Sequence, residues 1–175
     1  MNSFANRGMS FEALIEYTNK LYEQTGRAIV TKRPTPVKVL KLVNGRIKDG
    51  WFEKPSTVDY EGTFQGRSVN FEAKSTKELT RFDLKNIHDH QVQHLKKCHE
   101  HGGISFILVE FRTQRKTFLM QYETFAGYWS RRVRGGTKSI SFDEFEHTAY
   151  EVPRGKVPVD YLSVVQKIWE LREVS

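Results

Sequence analysis

The stretch "STVDYEGTFQGRSVNFEAKST", Ser56 to Thr76, has the pattern of a β-hairpin. In its second half Val69, Phe71 and Ala73 alternate with Asn70, Glu72 and Lys74, the two-residue period of a strand with unlike faces. If Gln65-Gly66 forms a two-residue turn, Asp59 falls directly opposite Glu72. Opposed carboxylates on neighbouring strands repel unless something neutralises them. A divalent cation does so well, because Mg²⁺ takes one or two carboxylates and keeps waters for substrate phosphates. Two features leave the register open. Glutamine is a poor choice for positive φ, and Gly62 offers a bulge that would shift the pairing by one residue. A Glu and a Lys two apart on a strand usually form a solvated face; Asp59 at a compatible position is what points to a site.

Working outward, "DLKNIHDHQVQHLKKCHEH" reads as a helix with Leu84, Ile87, Val92, Leu95 and Cys98 on one stripe, ending at Gly102-Gly103. Gln91 lies on that stripe, and a polar group on a buried face needs a partner. "ISFILVEF" is a continuous apolar run, as expected of a strand covered on both faces. "KTFLMQ" is a further strand, "YETFAGYWSRR" and "SFDEFEHTAY" are helices, and a terminal helix runs from about Asp160 to Arg172. Upstream, Phe11, Leu14, Ile15, Leu21 and Tyr22 recur at helical spacing from Ser10 to Gln24, with Ser10 as N-cap and Gly26 as the stop. "RAIVTK" is a short strand. Helices before and after a mixed sheet indicate an α/β sandwich, with residues 1–175 as one domain.

The segment between Arg33 and Lys54 stands apart. Asn44-Gly45 between two extended runs is a strong hairpin signal, and prolines at the base suggest an arm standing off the core. The arm carries Lys38, Lys41, Arg46 and Lys48, with Trp51 and Phe52 at its far end. Its Val37, Val39, Leu40, Leu42 and Val43 also provide an apolar surface for dimerisation.

Against 28 Lys+Arg stand 21 Asp+Glu, a net charge of +7 that suggests a polyanionic partner such as nucleic acid. No apolar run approaches the length of a membrane span. The N-terminus lacks the apolar core of a signal peptide, and the single cysteine, Cys98, rules out an internal disulfide; a cytoplasmic, nucleoid-associated protein is expected. "SRRVRGGTKS" places Arg131, Arg132, Arg134 and Lys138 around a Gly-Gly as a candidate phosphate clamp. His94 and Cys98, four apart on a helix, have zinc-ligand spacing without a second ligand pair, and helix-surface histidines are the simpler account.

Asp59 followed by Glu72-Ala73-Lys74 resembles the core of the PD-(D/E)xK nucleases. More narrowly, "NRGMSFEALIEYTNKLY", "KRPTPVKV", "KPSTVDYEG", "GRSVNFEAKST" and "HDHQVQHL" resemble, in order, the RecU-type Holliday junction resolvases of Gram-positive bacteria and their phages. The resemblance implies a restriction-endonuclease-like fold with a protruding basic stalk, a homodimer, and cleavage of four-way DNA junctions with one or two Mg²⁺ or Mn²⁺ ions per site. It makes Asp59, Glu72 and Gln91 metal-site residues and Lys74 the group that orients or deprotonates the attacking water. Glu12 occupies the place of a further acidic residue near the metal. Arg7, Lys32, Arg33, Phe52 and the arm's cations join the candidate DNA contacts, and a recombinase is a plausible partner. Two departures stand out: no proline directly precedes Asp59, and Val58 replaces the threonine of relatives, with Thr57 one position earlier. Two rivals share much of this pattern, a duplex-cutting restriction or repair nuclease of the same fold and a non-catalytic junction-binding or strand-annealing protein.

Overall fold

A computed structural model describes residues 9–53 and 57–173; Arg7 and Lys54 lie outside the described residues. The order is α1 (Phe11–Gln24), β1 (Ile29–Lys32), β2 (Val37–Val43), β3 (Arg46–Phe52), β4 (Tyr60–Phe64), β5 (Arg67–Thr76), β6 (Arg81–Asp83), α2 (Asp89–Glu100), β7 (Ile104–Phe111), β8 (Lys116–Gln121), α3 (Tyr122–Val133), β9 (Ser139–Ser141), α4 (Phe142–Thr148), β10 (Tyr150–Glu151) and α5 (Tyr161–Glu173). Six strands form one mixed sheet in the order β1-β4-β5-β7-β8-β10. Only the β5–β7 pair within it is parallel, and α2 lies in the connection between those two strands.

The alternation along β5 and β7 divides the core into two layers. Val69, Phe71, Phe106 and Leu108 pack beneath α1 and α5, while Ile107, Val109 and Phe111 pack with α2, α3 and α4 on the other face. β7 is buried at every position except Glu110, because both of its faces are covered. Behind the centre of the sheet Tyr60, Phe71 and Phe106 stack in a row, each adjacent pair of rings 4.8 Å apart. The Ser10 hydroxyl accepts from the Ala13 N–H and caps α1, and Gly26, at φ +66°, ends it.

The hairpin register is the one that a Gln65-Gly66 turn requires, with Tyr60 opposite Phe71 and Phe64 opposite Arg67. Gln65 takes φ +48° and Gly66 φ +75°. The turn bends against glutamine's preference because any slip would move Val69 and Phe71 out of the core. Gly62 is no bulge. It lies where β1 crosses closely, so a Cβ there would overlap the Ile29 carbonyl and come within 2.6 Å of the Val30 Cα. Gly62→Ala is therefore expected to lower unfolding stability by about 1–3 kcal/mol in a denaturant titration.

Two segments depart from the sequence expectation. The helix expected from Leu84 begins only at Asp89, since Leu84–Asn86 forms a 3₁₀ turn and His88 is the extended N-cap. Leu84 and Ile87 are nonetheless fully buried, so their helical spacing reflected burial rather than helix. In the arm, β2 and β3 form a separate two-stranded sheet with every residue exposed. Asn44 and Gly45 form its tip at φ +50° and +74°, whereas Phe52 pairs with Val37. Trp51 and Phe52 therefore lie near the root of the arm and not at its outer end.

Candidate active site

The first residue before β4 and the outer half of β5 meet at one end of the sheet. Glu72 is completely buried, pointing towards α2, yet it is a carboxylate. Three groups surround it. Its Oε2 accepts from the Asp59 main-chain N–H at 3.1 Å, and its Oε1 faces the Lys74 ammonium at 2.5 Å and the Gln91 Nε2 at 2.5 Å. Lys74 also reaches Asp59 Oδ2 at 3.5 Å, and that oxygen accepts from the Ala73 N–H at 3.2 Å. Asp59, Glu72 and Lys74 thus form one cluster with two carboxylates and one ammonium.

Burial raises the Glu72 carboxyl to about 8; the Asp59 carboxylate pushes the same way, and Lys74 pulls it back. Burial opposes the charge on Lys74, but the Glu72 carboxylate outweighs it and the lysine is raised above its ordinary value. The charge on Glu72 thus favours the ammonium form of Lys74. A net-negative pair of hard oxygen donors, Glu72 buried and Asp59 half-buried at the groove, fits a hard divalent cation that retains several waters. No third His, Cys, Asp or Glu joins them among the described residues, and the His94–Cys98 pair likewise gains none.

Gln91 is set by its helix. Its Oε1 accepts from the His88 N–H at 2.8 Å in a capping box, which turns its Nε2 onto Glu72. It reaches the site as the group that orients Glu72, with its amide oxygen committed to the helix cap.

The cluster opens into a groove of about 1680 Å³ lined by α1, the end of β1, β5, the β7–β8 turn and the loop before α5. Glu12, Lys32 and Arg33 line it with Asp59 and Lys74. Glu12 does not touch the Asp59–Glu72 pair; it is ion-paired with Lys32, which also reaches Glu16. Arg33 pairs with Glu61 at 2.9 Å and donates to the Thr57 hydroxyl at 2.8 Å. Its main-chain N–H donates to the Asp59 carbonyl at 2.8 Å, tying the root of the arm to the site. The Thr57 hydroxyl thus serves the arm's anchor.

Comparison with known proteins gives this geometry a context. Residues 6–167 match the family model for RecU, Recombination protein U. Holliday junction resolvase RecU from Geobacillus thermodenitrificans (strain NG80-2) is 38% identical over 95% of this chain and 86% of its own length. The protein of the same name from Staphylococcus aureus (strain JH9) is 39% identical over 94% of this chain and 82% of its own. The chain belongs to the RecU family. Among solved structures, the archaeal Holliday junction resolvase Hjc from Archaeoglobus fulgidus aligns with a TM-score of 0.43 at 10% identity, over 78% of this chain and 94% of that one.

Within this member of the family the basic segment after α3 is placed differently from the clamp expected of it. Arg131 and Arg132 belong to the last turn of α3. The Arg132 guanidinium lies 4.4 Å from the Trp129 ring centroid and donates to the Leu84 carbonyl; Arg131 sits over Tyr128 and 3.8 Å from Glu144. Arg134 donates to the Ser130 carbonyl. None of these, nor Lys138, lines the groove. Conversely, Arg112, Arg115, Arg154 and Lys156 do line it, and nothing in the local sequence marks them.

Because Glu72 is raised in the fold, the native state holds its proton more tightly than the unfolded chain. Its contribution to stability is therefore greatest below pH about 4.5 and is lost as pH rises towards about 8. Without divalent ions the native protein should lose stability as pH rises from about 4.5 to about 8, and Glu72→Gln should flatten that dependence. Calorimetry across this pH range measures it.

Proposed function

We propose that this protein is a structure-selective endonuclease that resolves four-way DNA junctions by paired, metal-dependent phosphodiester hydrolysis. The observation that carries this is the Asp59–Glu72–Lys74 cluster at the floor of a basic groove, in a chain whose RecU relatives are named as Holliday junction resolvases. Asp59 and Glu72 would hold Mg²⁺, with Mn²⁺ as a substitute. Such an ion supplies a water made nucleophilic near neutral pH and positive charge at the phosphate. Lys74, as an ammonium, stabilises the negative charge that grows on the phosphoryl oxygens. Gln91 and the Ala73 N–H fix the two carboxylates, so little reorganisation is needed when the substrate arrives.

The arm supports the choice of a junction over a plain duplex. An isolated two-stranded ribbon is marginal in water, and this one carries exposed Leu42, Ile47, Trp51 and Phe52 beside its cations. A ribbon of that composition suits the open centre of a junction, a second copy of the chain, or both. Two sites related by a two-fold axis would match the symmetry of a four-way junction, so the working unit is a homodimer. A recombinase that makes such junctions is a fitting partner. No described helix is long and apolar enough to cross a membrane, in keeping with a cytoplasmic, DNA-associated enzyme.

Labelling each strand of a four-way junction in turn tests the reading. Nicks at two-fold-related positions on two opposed strands are expected. Incision of one strand alone, or scattered cutting, would contradict paired resolution.

A further inference from the structure

The groove's cations divide into two groups by their partners. Lys32, Arg33 and Lys74, along β1 and β5, are each paired with a carboxylate. Arg112, Arg115, Arg154 and Lys156 are exposed on the opposite wall and form no ion pair or side-chain hydrogen bond among the described residues. Glu110, the carboxylate on that wall, keeps its charge while accepting a hydrogen bond from the Ser75 hydroxyl at 2.7 Å, and it forms no ion pair with these four cations. Four cations without an ion-pair partner, against one carboxylate, therefore share a groove with the cluster that would meet the scissile phosphate.

Both loops that bear them are pinned. In the β7–β8 turn, the Thr113 hydroxyl donates to the Lys77 carbonyl, the Gln114 amide to the Leu79 carbonyl, and the Arg112 N–H to the Thr76 carbonyl. Arg115 is held at φ +56°, a left-handed conformation unusual for arginine. Behind the second loop, Asp160 is gripped by Tyr22, Arg27 and Ser163, and the Val159 N–H donates to the Thr18 hydroxyl. The Gly155 N–H closes the tip onto the Val157 carbonyl. The cations stand on fixed supports, so binding orders little that is not already ordered.

We propose that Arg112, Arg115, Arg154 and Lys156 form a phosphate clamp for the duplex arm being cut, gripping DNA backbone without regard to junction shape. This rests on the functional reading above and adds a division of labour to it. The β2–β3 arm selects the junction, and the clamp supplies general backbone affinity at the site. Phosphate contacts of this kind position the duplex and carry no sequence information.

The test compares the quadruple variant R112A/R115A/R154A/K156A with a control lacking four cations outside the groove, Lys20, Lys96, Lys97 and Lys167. Binding to a four-way junction and to linear duplex is measured in EDTA over a range of salt, with Tm as the check on folding. Every phosphate left without its cation should take about 0.9 from the slope of log affinity against log salt, so the slope of the clamp variant should fall by about two to four on both DNAs. Its preference for the junction should stay unchanged. R112K/R115K should keep the slope, because the charge remains. A clamp variant that matches the control, or one that weakens on the junction alone, overturns the proposal. If the intact protein binds DNA yet cuts no junction, the resolvase reading falls, and the same slopes still decide the clamp.

Discussion

Replacing Asp59 by alanine should lower junction cleavage by on the order of 10³-fold or more while leaving junction binding close to that of the intact protein. Asp59 touches Lys74 and, through main-chain hydrogen bonds, both Glu72 and Ala73, and its carboxylate lines the open groove while that of Glu72 is buried. Its removal takes away one of two oxygen donors and a counter-charge to the lysine. The main-chain N–H that reaches Glu72 survives the substitution, as does the Arg33 hydrogen bond to the Asp59 carbonyl, so the surrounding fold should hold. Gel-shift titration and single-turnover cleavage on the same junction separate binding from chemistry. Cleavage retained at the wild-type rate in Asp59→Ala would place the chemistry elsewhere than at the Asp59–Glu72 pair.

The second large effect belongs to the arm. Replacing residues 37–52 by a short Gly-Ser link should lower junction affinity to the level of linear duplex, a drop of roughly 10²–10³-fold. The root tolerates such a change because the Glu53 N–H and Pro36 carbonyl already close it at 3.0 Å, and no arm residue belongs to either core layer. Alanine at Lys38, Lys41, Arg46 and Lys48 should reproduce part of the drop and flatten the salt dependence by roughly one unit for each phosphate they neutralise. Sedimentation of the deletion variant separates the two uses of the arm. A dimer without junction preference assigns the arm to DNA, and a monomer assigns it to self-association. Duplex cleavage spared by the deletion would support the duplex-cutting rival, and unchanged junction preference would take junction selection away from the arm.

Much of the site was legible because strand alternation and turn position together determine which residues face each other. The choice of Gln65-Gly66 as turn puts Asp59 opposite Glu72 before any coordinates are known, and burial of Val69 and Phe71 enforces it. Gln91 was legible as a polar group on an apolar stripe, but its capping of α2 was not, because Leu84 and Ile87 mimicked one more helical turn. The short strands β6, β9 and β10 hold two or three residues each and carry no periodicity to detect. The basic run after α3 attracted attention through local charge density, yet aromatic rings and carbonyls, most of them of the same helix, occupy its arginines. Arg112 and Lys156 were invisible as a pair because only the β7–β8 turn and the loop before α5 bring them to one groove.

The most direct test is to incubate a labelled four-way junction and a linear duplex of the same sequence with the protein, with and without Mg²⁺. Cutting of the junction alone, and only when Mg²⁺ is present, is the expected result. Equal cutting of both DNAs, or cutting that survives EDTA, would contradict a metal-dependent junction resolvase built on Asp59, Glu72 and Lys74.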